Sequence, residues 1–300
     1  MSDFSKGAAW IEGEIVALSD AKIGVTDWGV THSDITYDVA PVWKGGFFRL
    51  GDYIERFRAS MTALRMDPGV SDADIRGALH AMVGRSGLRD SYVAMVCARG
   101  TPMIPGSRDP RDCANHFYAW CVPFIWVVKP EVAEAGAHVW VAKEVRRIPE
   151  DSVNPLAKNY HWGDFTQGLL EAKDNGYETV ILLDHQGNVT EGPGFNVFAV
   201  KNGRVVTSDH GVLHGITRRT VLEMSMGQGL EVETRPLPLE ELLEADEVLL
   251  STTGGGVVPV TRVDDRIFSN GVPGPVATGL RAQYFDWLED PSRREEVSYR

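Results

Sequence analysis

Residues 154–164 read Asn-Pro-Leu-Ala-Lys-Asn-Tyr-His-Trp-Gly-Asp, and residues 190–197 read Thr-Glu-Gly-Pro-Gly-Phe-Asn-Val. The first stretch sets Lys158 among aromatic and amide side chains, immediately before a helical pattern over 164–175. The second sets Glu191 in a Gly/Pro turn that runs straight into an apolar strand. Between them, 179–184 is β-rich. Helix and strand therefore alternate around both segments, which points to an α/β or α+β fold and not to a helical bundle.

Working outward, strand patterns recur at Ala8–Ile11, Glu14–Ala17, 37–43 and 92–98, and beyond the centre at 138–142, 195–200, Arg204–Thr207 and Glu247–Thr252. Ile54, Phe57, Met61 and Leu64 fall at helical spacing behind Asp52, which predicts a helix capped by Asp52. Ser71 and Asp74 form a capping-box pattern ahead of Ile75, Leu79, Met82 and Val83, with Gly87 as the stop. Further helices are predicted over 218–226, 239–245 and 276–288. Two prolines bracket an apolar stretch at 122–130, so it is not expected to be one regular central strand or helix. The expected division is a smaller α+β domain over 1–122, a linker over 123–130 and a larger domain over 131–300.

The chain has 300 residues, enough for two domains of roughly 150 residues or one large one. Hydrophobic residues at 43% and charged residues at 24% exclude a mainly disordered chain. With 42 acidic and 30 basic side chains the net charge is -12, so phosphate backbones and anionic lipid are repelled, and neither nucleic acid nor membrane is an expected partner. No apolar run approaches the ~18 residues of a membrane span, and residues 1–10 lack a basic region followed by an apolar stretch. Cys97, Cys113 and Cys121 are an odd number without Cys-x-x-Cys spacing, which fits a reducing cytoplasm and no metal site.

Several catalytic patterns are missing. There is no Gly-x-Ser-x-Gly, no phosphate loop ending Gly-Lys-Ser/Thr and no His-Glu-x-x-His. Most of the eight lysines sit in polar or Gly-flanked contexts; Lys158 lies in a segment dense in aromatics and amides, where a depressed amine pKa would make it a nucleophile toward an aldehyde, the plain alternative being a lysine stem covering aromatic surface. Residues 211–218, Gly-Val-Leu-His-Gly-Ile-Thr-Arg, lead a glycine turn into a helix with Thr217 available as a cap, a start of the kind that binds phosphate. Thr252 and Thr253 stand at a strand end beside three glycines, where backbone can approach a ligand closely. A cofactor with an aldehyde, a basic ring nitrogen and a phosphate uses all of these parts, and pyridoxal 5'-phosphate (PLP) is such a cofactor.

With Lys158 to Asp164, Glu191 to Val197, Gly215 to Arg218 and Thr252 to Val257 in this order, the sequence resembles the class IV aminotransferases of PLP fold type IV, across nearly its whole length. Residues 32–39, His-Ser-Asp-Ile-Thr-Tyr-Asp-Val, are similar to the (R)-selective amine transaminases within that class. The resemblance implies a two-domain homodimer in which Lys158 holds PLP covalently and then serves as acid and base, and Glu191 keeps the pyridine nitrogen protonated. It implies phosphate contacts from Arg56, Ile216, Thr217, Thr252 and Thr253. It implies a substrate pocket formed by His32, Tyr37, Val39, Tyr92, Ala94 and Trp162, with Arg108 as the candidate partner for a keto-acid carboxylate. The implied reaction passes an amino group from an (R)-amine to pyruvate or a similar keto acid. Sister activities on the same scaffold are D-amino acid and branched-chain transamination and, more distantly, aminodeoxychorismate lysis.

Overall fold

Ile35–Trp43 is buried at every position but the last, so both faces of this strand are covered. The computed structural model describes residues 3–299. Met1, Ser2 and Arg300 lie outside the described residues, and with them the first two positions of the N-terminal reading. The chain divides into two compact units, the first taking residues up to Ile125, then Ala157–His161, and then the chain from Leu288 on. The second takes Trp126–Leu156 and Trp162–Trp287. The chain thus passes from one unit to the other after Ile125, and two pieces that the sequence reading put in the larger domain, 157–161 and 288–299, belong to the first.

The first unit contains β1 (Ala8–Ile11), β2 (Glu14–Ala17), α1 (Trp28–Thr31), β3 (Ile35–Trp43), β4 (Gly46–Phe48), α2 (Leu50–Ala63), α3 (Asp72–Ser86), β5 (Ser91–Ala98) and β6 (His116–Pro123). Its strands form one antiparallel sheet, ordered β4-β3-β5-β6-β1-β2, with Arg294–Glu296 added beside β4. Helices α2 and α3 pack on this sheet, and Phe57, Ile75, Leu79, Met82 and Val83 are fully buried. Side chains alternate between faces along a strand, so the register Tyr37↔Val96↔Tyr118 and Val39↔Ala94↔Trp120 lines these six residues up on one face.

Ser71 caps α3 by accepting from the Asp74 N–H while Asp74 reaches back to the Ser71 N–H, and Gly87 ends the helix in the left-handed conformation, as the sequence pattern predicts. The start of α2 differs from expectation. Arg49, at φ 52°, occupies the cap position without a side-chain cap bond, and Asp52 lies inside the first turn, accepting from Nε of Arg49. The stretch 122–130 is not one regular element, as expected: Val122 and Pro123 finish β6, and Pro130 opens the next helix, where a missing N–H is tolerated.

The second unit begins with α4 (Pro130–Ala135), β7 (Ala137–Val141), α5 (Gly163–Asp174), β8 (Thr179–Ile181), β9 (Asn188–Val189), β10 (Glu191–Gly192), β11 (Phe195–Lys201) and β12 (Arg204–Thr207). It continues with α6 (Ile216–Gly227), β13 (Glu231–Thr234), β14 (Leu237–Pro238), α7 (Leu239–Leu243), β15 (Glu247–Thr252), β16 (Gly256–Val263), β17 (Arg266–Ile267) and α8 (Pro275–Glu289). Its main sheet is mixed, ordered β13-β12-β11-β15-β16-β7-β8, with parallel pairing at β12/β13, β16/β7 and β7/β8. One core of Val139, Val141, Ile181, Val197, Leu250 and Val258 fills this unit, and a second, with Phe165, Ala172, Val180 and Leu182, lies under α5. The mixture of helices and sheets in two units agrees with the α+β / α/β expectation. Among the described residues no helix is long and apolar enough to cross a membrane.

Candidate active site

In the first unit, Lys158 is tied to β3 and α2 through its backbone. Its carbonyl accepts from Thr36 Oγ1 at 2.7 Å and from the Tyr37 N–H at 3.2 Å, and its N–H donates to Ser60 Oγ at 3.1 Å. A lysine far away in sequence is thereby pinned to a central strand, with Nζ 4.5 Å from the centroid of the Tyr37 ring. Tyr160, two residues on, packs against Tyr37 at 4.3 Å. The face on which they sit is a cluster of Tyr37, Val39, Ala94 and Val96 with Tyr92, Tyr118, Trp120 and Tyr160 against it. Burial pushes the phenols of Tyr92 and Tyr160 well above their usual range and that of Tyr118 up to about 12, so all three stay protonated at ordinary pH.

Arg56 comes from α2 and donates Nε to Asp38 Oδ2 at 2.8 Å and Nη2 to Asp38 Oδ1 at 2.6 Å. Burial opposes its charge, but the field and hydrogen bonds of Asp38 outweigh burial and hold the guanidinium protonated. Two expected residues of this unit stand apart from the cluster. His32 is exposed and stacks on Trp28 with centroids 4.5 Å apart, and Arg108 is exposed on the loop after β5.

In the second unit, Glu191 is buried on β10. Its Oε1 accepts from Arg147 Nη2 at 3.1 Å and Nε at 3.2 Å, and its Oε2 accepts from the Leu213 N–H at 3.0 Å. Across the sheet Glu191 pairs with Asn196, and Asn196 with Ser251. Asn196 donates Nδ2 to the Leu213 carbonyl at 2.8 Å, holding the turn before α6 against the sheet. A Cβ at 215 would lie 2.4 Å from Oδ1 of Asn196, so a larger residue there would have to displace that side chain.

Helix α6 starts with Gly215 at the cap position and no side-chain cap bond, so Thr217 is the second helical residue and not the cap that the sequence suggested. Its Oγ1 is buried without a hydrogen-bond partner, as is Oγ of Ser251. Thr252 Oγ1 accepts from the Gly254 N–H at 3.2 Å, and Thr253 is half-buried beside it. Trp162, expected in the substrate pocket, is 37% exposed and meets Phe165 edge-on at 5.5 Å.

A family model described as amino-transferase class IV matches residues 36–263. The chain belongs to the class IV aminotransferases. It is 27% identical to the branched-chain-amino-acid aminotransferase of Escherichia coli, over 92% of this chain and 91% of that one. It is 28% identical to the D-alanine aminotransferase of Bacillus licheniformis, over 90% of this chain and 93% of that one. Among solved structures, the branched-chain amino acid aminotransferase from Thermobaculum terrenum in its PLP form matches with a TM-score of 0.86 at 25% identity, covering 98% of this chain and 99% of that one.

Class IV aminotransferases use pyridoxal phosphate, and the second unit of this class IV aminotransferase suits an anionic ester. The uncapped first turn of α6 leaves N–H groups without intrahelical acceptors, the helix dipole adds partial positive charge, and the orphaned Thr217 hydroxyl lies in the same turn. The sequence reading missed Asp38, Ser60, Tyr118, Trp120, Tyr160, Arg147 and Asp164. Each acts through pairing with a residue remote in the chain, and no local pattern carries that signal. Among the described residues no cluster of His, Cys, Asp or Glu could hold a metal ion.

Proposed function

We propose that the protein transfers an amino group from a hydrophobic amine donor to a keto acid, with PLP held by Lys158 and Glu191. The observation that carries this is the face around Lys158: Tyr37, Val39, Tyr92, Ala94, Tyr118, Trp120 and Tyr160 contribute no charged group, so an apolar substituent on the donor meets apolar surface. In this reading the amine of Lys158 would hold the cofactor and the buried carboxylate of Glu191 would hold its protonated ring nitrogen. Arg56, the N–H groups of Ile216 and Thr217, and the hydroxyls of Thr217, Thr252 and Thr253 bind the phosphate. Bound there, PLP supplies the electron sink that makes the donor C–H acidic. Nζ of Lys158 would be the base for that proton, and the hydrogen bonds of the Lys158 backbone to Thr36, Tyr37 and Ser60 keep the amine in place.

The relatives make amino acids of the branched-chain class the first donors to consider. A second reading, an (R)-configured amine with pyruvate as acceptor, is favoured because a donor without a carboxylate asks for no cation on this face, and Arg108 is exposed on a loop. His32 and Trp162 belong to this pocket only as proposals. The test adds L-leucine, D-alanine, (R)-1-phenylethylamine and (S)-1-phenylethylamine in turn to the PLP-loaded protein and follows the cofactor's visible band. Bleaching by L-leucine supports the first reading, and bleaching by the (R) amine alone supports the second. A response to D-alanine only reassigns the donor, and no response to any of the four overturns the transaminase reading.

A further inference from the structure

Asp164 lies in the first turn of α5 and is buried, with only 4% of its side chain exposed. Its Oδ2 accepts from Arg147 Nη1 at 2.6 Å and from the Ile148 N–H at 3.0 Å, and its Oδ1 accepts from the Phe165 N–H at 2.8 Å. The Arg147 guanidinium lies 4.3 Å from the centroid of the Phe165 ring, and its remaining edge holds Glu191. The three side chains form one buried chain, Asp164–Arg147–Glu191, all within the second unit.

The charge count of this chain matters more than its hydrogen bonds. One guanidinium would neutralise Glu191 alone. With Asp164 on its other edge the three side chains together carry a net negative charge, and a surplus charge away from water is costly unless a cation answers it. We propose that Asp164 is a positioning residue that sets the charge of this chain, so that Glu191 meets a protonated ring nitrogen instead of a neutral one. This rests on the reading of Glu191 as the ring-nitrogen partner. Both carboxylate oxygens of Asp164 are engaged within the protein. Asp164 acts through Arg147, holding the guanidinium edge and cancelling its charge so that the carboxylate of Glu191 remains available to a cation.

The substitution Asp164→Asn keeps an acceptor oxygen for Arg147 and the Ile148 N–H while removing the charge. The experiment measures, by fluorescence titration, the affinity of the cofactor-free protein for pyridoxamine 5'-phosphate and for its analogue with carbon in place of the ring nitrogen. It does so in the original protein and in the D164N variant, with thermal melts as a check on folding. The proposal predicts that D164N weakens the natural compound about tenfold, equivalent to about 1.4 kcal/mol, and leaves the carbon analogue within about twofold. It also predicts that the affinity gap between the two ligands, which closes as pH rises, closes at lower pH in D164N than in the original protein. Equal weakening of both ligands shows a merely structural role and overturns it, as does an unchanged preference for the natural compound. If the original protein binds neither ligand, the cofactor reading of the site fails and this inference fails with it. If D164N does not fold, Arg147→Gln with Asp164 retained is measured instead. That variant then has two carboxylates and no guanidinium, and the natural compound should lose no more than the analogue.

Discussion

Asp38 shows what one buried carboxylate does for the site: its side chain is fully covered, and both oxygens are engaged by Arg56. Removing one member of such a pair strands the other, so Asp38→Ala should cost about 3 kcal/mol in a urea melt of the cofactor-free protein. Asp38→Asn keeps part of the hydrogen bonding and should cost less. The cysteines make a second prediction. All three are buried, and burial pushes their thiols up, Cys97 to about 12. A thiol-reactive chromogen at pH 7.5 should therefore find no fast-reacting thiol in the native protein and three after unfolding, because the thiolate is the reactive species.

At the scale of elements, the start of α6 separates structure from function. The Thr217 hydroxyl has no protein partner, and an orphaned buried polar group costs roughly 1–3 kcal/mol. Thr217→Ala should leave the melting temperature of the cofactor-free protein unchanged or raised, yet weaken PLP binding about tenfold by equilibrium dialysis, near the value of one charge-assisted hydrogen bond. His214, just before the helix, has its pKa lowered by burial and then by Arg218. The unfolded chain thus binds more protons than the folded one as pH falls through about 6.5. Stability should decline on acidification through that window, and the decline should be shallower in His214→Gln. In α3, Ser71→Ala should cost about 1 kcal/mol. That capping box was legible because it spans four consecutive residues. The start of α2 was not, because the Arg49 N–H donates to the carbonyl of Arg293, a partner no local window contains. The same division runs through the site. Lys158, Glu191 and Thr217 stand in distinctive local patterns, whereas Tyr118 and Trp120 join the Lys158 face only through strand register, and Arg147 joins Glu191 only through folding of the second unit.

For the whole molecule, the net charge of -12 disfavours association with polyanions, while Val25 at 83% exposed, Met103 at 72%, Val30 and Ile104 leave apolar side chains in solvent on the first unit. A homodimer is the expected assembly, so light scattering on the eluting protein should give twice 33.0 kDa, and a mass of 33.0 kDa would remove it. The central claim is that one lysine, pinned by β3 and α2, carries the cofactor. Borohydride reduction of the PLP-loaded protein followed by peptide mass spectrometry tests it most directly. The account predicts a pyridoxyl phosphate label on Lys158 and on none of the other seven lysines. A label elsewhere, or none at all, would contradict it.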